Sequence, residues 1–580
     1  MPPEKSLALE PLTAVERRFL AFAGAVGESL DAALGGLASA TVRAFGAPIA
    51  AVALTVAAGA VIGLALAYFM VRPVWDDQSW LLYAGGRVLH GAQLYGRDIV
   101  ETNPPLIVWL SAIPMALAAA TGMLPTVALK LCVMLLIIGT LAWVWRLLGR
   151  SLPAPASERL RFGILIVLGY LLAVYPWPDR QTWSLFGQRE HLLLLLTLPY
   201  LTLAAGRLEA RGVSSWEAAL AGLAAGIGYC LKPHHLLVVA GVEALLLYRR
   251  RDWQSVLRPE PLVMLLTGLA YGAAIWAFAP GFFTLSLPLL METYNQIGFV
   301  TLSFVAPPEL VLKMAIVLVV CLLLHRYART SSLISVLLVA ACGSAAAYVV
   351  QHKGWAYQLL PAQVLFRTAL GVLLLDLALR WLGDRPVALL SRRPVALAIV
   401  ALSAAVAAAA TYPARAAWAA TTWEEGITAG FVENFGAFPR GTPVYFMSTN
   451  LHAVFAIVTD GGYVWSSRWP ALWTLPAILY NEAGTKDPKR QLPPDRVRSL
   501  AHQLRSDMVA DFRRWQPAVV MVERCGDDSP WVCYNLEDLE VDLADWFERD
   551  PEFAAIWSHY SLERQYLYYD VYVRDDAVRR

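Results

Sequence analysis

Long apolar runs recur along most of the chain, separated by short polar connections. One helix needs roughly 20 mostly apolar residues to cross a lipid bilayer. Runs close to this length predict spans at 49–71, 124–145, 162–176, 190–206, 215–231, 234–248, 261–279, 309–325, 332–351, 356–379 and 394–412. The pattern therefore predicts a polytopic α-helical membrane protein with about 11 spans.

The apolar stretch 105–121 is ambiguous, because it is short and contains Pro114. Lys and Arg residues near span ends collect on the cytoplasmic side of a membrane. Such residues stand in the N-terminal segment and in the connections 146–161, 207–211, 249–258, 326–329 and 380–393. All of them share one side only if 105–121 lies along the outer interface instead of crossing. This solution predicts an N-terminus inside and a C-terminus outside.

Three regions follow from these patterns. Residues 1–47 predict an amphipathic segment on the cytoplasmic surface. Residues 48–412 hold the spans. Residues 413–580 change in composition, and the runs TPVYFMS, HAVFAIV and PAVVMVE predict strands among polar helical pieces such as LEDLEVDLADWFERD. The last region is therefore predicted to be an α/β domain outside the membrane.

Composition narrows the class of protein further. Hydrophobic residues make up 58% of the 580 residues and charged residues 16%, against roughly 25% charged in soluble domains. The net charge of +2 gives no basic excess that would indicate nucleic-acid binding. Six cysteines exclude a disulfide scaffold. Cys525 and Cys533 are the only ones in the outer region and predict a local disulfide, with two free thiols as the alternative.

Polar residues near span ends gather on the predicted outer side. They are Asp76, Asp77, Asp98, Glu101, Asp179, Arg180, Arg189, Glu190, His191, Lys232, His234, His235, His352 and Lys353. Ionisable groups this close to hydrocarbon are costly unless they line a wet cavity or meet a ligand. Several cations with several carboxylates predict a site that opens outward, where the cations hold a phosphate and a carboxylate acts as a base.

Each of these residues also has a purely structural interpretation. Asp76 and Asp77 could cap the helix that starts near Gln78. Lys232 and Lys353 could be anchors that extend toward the interface, and Glu190 could simply pair with Arg189. The histidines lack the spacing of a metal site, so no metal ligand is assigned. A divalent metal stays compatible with so many outer carboxylates.

The first outer loop, DQSWLLYAGGRVLHGAQLYGRDIVETNPPL, resembles that of the GT-C glycosyltransferases. The similar members are protein O-mannosyltransferases and the lipid A aminoarabinose transferase. The resemblance lies in an acidic residue after the first span, a Tyr-Ala helix, a Tyr-Arg-Asp-like turn and a Pro-Pro pair before an interfacial apolar helix. Many members carry Glu-Lys-Pro-Pro or His-Pro-Pro, where this chain has Glu101-Thr102-Asn103-Pro104-Pro105.

This resemblance implies sugar transfer from a polyprenyl-phosphate donor to a glycan, lipid or protein acceptor at the periplasmic face of a bacterial inner membrane. No cofactor would be required. Asp77 aligns best with the acidic residue of the family, and Asp76 is the reserve. Beside this resemblance, the positions of the charges predict that Asp98, Glu101 and Glu190 orient the acceptor or hold a cation, and that the outer cations bind the lipid phosphate. Those cations are Lys232, Lys353, Arg189, His234 and His352.

Two other classes of membrane protein compete with this prediction. A transporter or lipid-linked sugar flippase favours charges at mid-membrane depth and matching interrupted helices in two halves. Here the charges crowd at one interface and no matching halves are found. A polymerase or ligase of lipid-linked polysaccharide would use similar ligands on another fold, and the first-loop string argues against it.

Overall fold

A computed structural model describes residues 49–579 except 72–73, 75, 152–156, 177–184, 252–256, 295–301, 383–396, 412–426, 453, 486, 488–489, 526–535, 537–538 and 567. The predicted cytoplasmic segment 1–47 lies outside the described residues. The first part of the chain is helical. Its helices are α1 (Ile49–Val71), α2 (Asp76–Leu89), α3 (Leu106–Thr121), α4 (Pro125–Ser151), α5 (Ser157–Ala173), α6 (Arg189–Leu208), α7 (Ser215–Leu231), α8 (Leu236–Arg250), α9 (Pro259–Phe278), α10 (Phe282–Glu292), α11 (Leu302–Val305), α12 (Pro308–Leu324), α13 (Ser331–Gln351), α14 (Ala356–Leu382) and α15 (Leu397–Thr411).

Every predicted span coincides with one of these helices. Among the described residues, seven helices are long and apolar enough to cross a membrane: α1, α4, α6, α9, α12, α13 and α14. The other four predicted spans correspond to the shorter helices α5, α7, α8 and α15. Helix α3, in the ambiguous stretch, has 16 residues, and Val108 and Ser111 on it are buried. The polytopic helical fold is therefore confirmed by the helices themselves.

Helix α7 approaches α9 closely because its facing residues are small. A Cβ atom built on Gly222 would lie 2.5 Å from the carbonyl oxygen of Glu260, and one on Gly226 would lie 2.8 Å from Cβ of Thr267. Small residues allow helix backbones to pack tightly in membranes, where the hydrophobic effect does not drive association. This packing fixes the position of α7, whose last residue precedes Lys232.

The C-terminal region contains a small sheet surrounded by helices. In chain order its elements are α16 (Ile427–Gly436), β1 (Pro443–Met447), α17 (Val454–Gly461), β2 (Val464–Trp465), α18 (Leu475–Glu482), α19 (Pro494–Trp515), β3 (Val519–Glu523), α20 (Leu543–Glu548), α21 (Pro551–Trp557), β4 (Tyr560–Gln565) and β5 (Tyr569–Arg574). The strand order is β2-β1-β3-β5-β4, with β1 parallel to β2 and β3, and β5 antiparallel to β3 and β4. The predicted mixed α/β character is confirmed.

One predicted strand is wrong. The run HAVFAIV contributes to the helix α17 instead of a strand. Parallel strands β1 and β2 need a crossover connection, and α17 provides it. Six of its eight residues are buried, so the run is apolar nearly all round and its hydrophobic pattern cannot distinguish a buried helix from a buried strand.

The C-terminal region packs directly on the first outer loop. The Tyr83 hydroxyl oxygen on α2 accepts a hydrogen bond from the backbone N–H of Trp465 at 2.8 Å. The backbone N–H of Val100 donates to the carbonyl oxygen of Arg468, also at 2.8 Å. The rings of Trp80 and Phe455 are 4.7 Å apart between centroids. These contacts hold α2, and with it Asp77, against the sheet region.

Candidate active site

Helix ends bring the predicted outer residues together. Asp77 lies in the first turn of α2, Arg189 and Glu190 begin α6, and Lys232 follows the end of α7. Lys353 follows the end of α13. Helices that run in alternating directions place the start of one beside the end of the next, so residues far apart in sequence meet at one face.

Two ion pairs form the centre of the site. Nη2 of Arg189 lies 3.6 Å from Oδ2 of Asp77, and Nζ of Lys232 lies 2.8 Å from Oε1 of Glu190. The ammonium of Lys232 also lies 5.6 Å from the ring centroid of Tyr357. The side chain of Asp77 is 27% exposed, whereas that of Glu190 is completely buried. Asp77 is therefore the more accessible of these two carboxylates.

The surroundings of Asp77 make it a stronger base than a free aspartate. Burial raises its pKa above the usual value, and the neighbouring Glu190 carboxylate raises it further. The cations Arg189 and Lys232 act in the opposite direction without cancelling the shift. Asp76 is the first residue of α2, and its side chain lies outside the described part of the structure.

Glu101 is buried beside this centre and is held by its own loop. The indole Nε1 of Trp80 donates a hydrogen bond to it, and the backbone N–H of Asn103 donates another at 2.8 Å. The Thr102 hydroxyl donates a third at 3.1 Å. Burial raises the pKa of Glu101 against these hydrogen bonds. With this many donors inside its loop, Glu101 shapes the ETNPP turn.

Lys353 lies in an aromatic setting. Its Nζ donates to the carbonyl oxygen of Tyr294 at 3.2 Å, and it lies 5.1 Å and 5.8 Å from the ring centroids of Tyr294 and Trp355. Burial lowers the pKa of Lys353 to about 8. The preceding His352 ends α13 in a left-handed conformation with φ 52°. That turn directs the chain from α13 into the segment that carries Lys353.

Two other predicted residues lie at or beyond the edge of this site. His234 is exposed, in the short 3-10 turn Pro233–His235. Asp98 points to the C-terminal region, where Oδ1 accepts a hydrogen bond from Arg514 Nη1 at 2.6 Å and Oδ2 accepts one from the Gln93 N–H at 2.9 Å. Burial alone would raise the pKa of Asp98, but these donors hold it below its usual value.

Three aromatic side chains of the site were not among the sequence-predicted residues: Trp80, Tyr294 and Tyr357. Trp80 stands in DQSWLLYA, close to Asp77, and Tyr357 stands in QHKGWAYQ, close to Lys353, so nearness to these charged residues was a usable signal. Tyr294 lies in METYNQ and has no such signal, because its contact with Lys353 bridges 59 positions. Among the residues that the structure describes, no group of three or more His, Cys, Asp or Glu side chains is arranged to hold a metal ion.

No family model and no curated protein matches this chain. Two solved structures of ArnT from Cupriavidus metallidurans are similar to it in fold. The form bound to undecaprenyl phosphate has 14% sequence identity and a TM-score of 0.49, with coverage of 91% of this chain and 98% of that chain. The apo form has 12% identity and a TM-score of 0.47, covering 87% and 95%. Identities and TM-scores this low do not indicate a shared reaction.

Proposed function

We propose that this chain is a GT-C-type glycosyltransferase. It transfers a sugar from a polyprenyl-phosphate donor to a glycan, lipid or protein acceptor, and inverts the anomeric centre. The observation that carries this proposal is a partly exposed carboxylate, Asp77, whose pKa is raised by burial and which lies beside fixed cations at the ends of apolar helices. The first-loop resemblance supports the same reaction.

In the proposed step, the acceptor hydroxyl oxygen attacks the anomeric carbon while Asp77 takes the hydroxyl proton. The bond from the anomeric carbon to the phosphate oxygen breaks, and its electron pair leaves with the polyprenyl phosphate. Fixed cations at the phosphate stabilise the negative charge that develops there. The isoprenoid tail stays among the apolar helices, so the phosphate is delivered at the level of their ends.

The cations have different tasks in this proposal. Lys232 is engaged by Glu190 at 2.8 Å, and Arg189 lies 3.6 Å from Asp77, beyond hydrogen-bond distance. Arg189 can therefore exchange a loose carboxylate contact for a phosphate oxygen. Lys353, which lies near the rings of Tyr294 and Trp355, is the second phosphate ligand. These side chains supply the positive charge of the step, and we propose that no cofactor is needed.

The proposal places the site and residues 413–580 on the periplasmic side of a bacterial inner membrane. A reporter that is active only in the periplasm, fused after Arg580, should be active. Cytoplasmic behaviour of the fusion would contradict the sidedness of the proposed reaction.

The test of the reaction uses purified protein and undecaprenyl-phosphate-linked sugars. We expect release of undecaprenyl phosphate that depends on an added acceptor, and a product of inverted anomeric configuration. A transporter or flippase would instead move the intact lipid across proteoliposomes without cleaving it. Movement without release of undecaprenyl phosphate would replace the glycosyltransferase by that class.

A further inference from the structure

An aromatic cluster joins the C-terminal region to Lys353. Trp473 lies in the connection between β2 and α18, and its ring meets the ring of Tyr294 edge-on with centroids 5.9 Å apart. Tyr294 in turn meets Trp355 at 6.3 Å. Since Lys353 lies over both Tyr294 and Trp355, only one aromatic ring separates its ammonium from Trp473.

Two buried polar groups at this position lack a partner. The indole N–H of Trp473 and the hydroxyl of Thr474 have no hydrogen bond to any described residue, although the two side chains belong to residues only 4% and 3% exposed. Thr474 occupies the N-cap position of α18, yet its hydroxyl does not cap that helix. A buried polar group without a partner costs about 1–3 kcal/mol. A ligand that supplied hydroxyl groups to these two neighbouring side chains would remove that cost.

Ligand sites in proteins combine aromatic walls with a few placed polar groups. The walls here are Tyr294 and Trp473, and the polar groups are the Trp473 N–H and the Thr474 hydroxyl. Tyr294 is only half-buried, so the cluster is not sealed from solvent. In a lipid-linked sugar donor the sugar ring is bonded to the phosphate. A phosphate held by Lys353 would therefore place the sugar ring beside this cluster.

We propose that Trp473 and Thr474 form the subsite for the sugar ring of the lipid-linked donor. This inference rests on the proposed function and adds that the C-terminal region binds and recognises the donor sugar. Trp473 acts through ring contact and its N–H, and Thr474 through its hydroxyl. The lipid phosphate is held elsewhere, by the cations at the helix ends.

The test separates sugar binding from phosphate binding. Trp473→Phe keeps an aromatic ring and removes the N–H, and Thr474→Val keeps the shape and removes the hydroxyl. Binding is measured for undecaprenyl phosphate and for the undecaprenyl-phosphate sugar that the wild-type protein cleaves, chosen among mannose, glucose and 4-amino-4-deoxyarabinose. Loss of one hydrogen bond should weaken binding of the sugar-bearing lipid about tenfold and leave undecaprenyl phosphate binding unchanged.

Trp557→Phe is the matched control. Trp557 is also a buried tryptophan of the C-terminal region, but it packs against Phe553 and Tyr560, and its replacement should change neither affinity. Equal weakening for both lipids in Trp473→Phe would make Trp473 a structural residue of the interface. Unchanged affinities, or a change confined to the KM of the acceptor, would also overturn the donor subsite.

Failure of the proposed function gives a different result. A wild-type protein that neither binds nor cleaves any of these lipids contradicts the glycosyltransferase proposal itself. The subsite alone is contradicted if the wild-type protein cleaves its donor and the variants Trp473→Phe and Thr474→Val bind that donor with wild-type affinity.

Discussion

Charged residues meet at both ends of the helical bundle, and the two ends differ. At the end opposite the site, Asp376 accepts hydrogen bonds from Arg329 Nε at 2.8 Å, from the Thr330 N–H at 3.1 Å and from the Thr330 hydroxyl at 3.2 Å. Glu217 there lies between two arginines, with Arg146 Nε at 3.0 Å. These carboxylates are satisfied by short contacts within the protein.

The site end uses the same residue types, and its Lys232–Glu190 pair is equally short at 2.8 Å, but Asp77 and Lys353 have looser contacts. The Asp77–Arg189 pair is separated by 3.6 Å, and Lys353 is surrounded by rings and a carbonyl group. Buried pairs with short contacts resist replacement of one partner because the other is left uncompensated. Side chains with shifted pKa values in a cleft are instead candidates for a functional site. The difference between the two ends supports the proposed placement of the chemistry at the Asp77 end.

The largest effects are expected from one substitution at each end of the bundle, and the two substitutions should change different properties. Asp77→Asn should bind the donor lipid, retain its thermal stability and lose turnover by roughly 100-fold or more, the usual reach of a general base. Asp376→Asn should instead lose stability, because breaking a buried pair costs about 3–5 kcal/mol. Turnover and thermal unfolding are measured for both variants.

Near-normal turnover in Asp77→Asn would reduce Asp77 to a structural residue in the first turn of α2, where acidic side chains are favourable. Asp76→Asn then decides whether the base is one position earlier. Full activity in both variants would remove the first loop from the chemistry.

A second prediction compares the two lysines at the site. Lys353→Met should weaken donor binding by about 1.5–3 kcal/mol, the value of a charge-assisted hydrogen bond. Lys232→Met also leaves Glu190 without its partner, so the double variant Lys232→Met/Glu190→Gln isolates the effect of the charge on donor binding. Lys313→Met removes an exposed lysine paired with Glu309 and serves as the control. Donor titrations that do not distinguish Lys353→Met from Lys313→Met would make Lys353 an anchor.

The third prediction concerns pH. The value of kcat/KM should fall in acid as Asp77 takes up its proton, at a pH above that of a free aspartate because its pKa is raised. It should fall again as pH rises through about 8, where Lys353 loses its charge. Lys353→Arg keeps the charge to higher pH and should move the alkaline limb upward. An alkaline limb that stays in place would assign it to another group.

The smallest effect is expected where the C-terminal region contacts the first loop. Arg514→Ala removes the hydrogen-bonded partner of Asp98. Arg514 is partly exposed, so the loss of stability should stay near 0.2–1 kcal/mol, with turnover close to that of the wild-type protein. A large loss of turnover would show that this ion pair positions the site.

The helical part of the fold could be predicted because each span is a local apolar run. The site could be predicted only as a set of residues on one face. The pairing of Lys232 with Glu190 and of Asp98 with Arg514 depends on the packing of distant segments, which no local pattern encodes. The helix α17 was missed for the reason given above, and the role of Tyr294 depends on a contact with Lys353 that sequence spacing does not reveal.

The structure describes only one of the two cysteines in the predicted disulfide. Cys525 is disulfide-bonded, and Cys533 lies outside the described residues. The four cysteines predicted to lie in spans, Cys132, Cys230, Cys321 and Cys342, are free.

The most direct measurement is an experimental structure of the full chain with undecaprenyl phosphate bound. We expect the phosphate oxygens within hydrogen-bond distance of Lys353 and Arg189, with Asp77 facing the open side of the phosphate. The isoprenoid chain should lie along the apolar helices. A phosphate bound instead among Arg146, Arg150 and Arg329 at the opposite end of the bundle would contradict the assignment of chemistry to the Asp77 end.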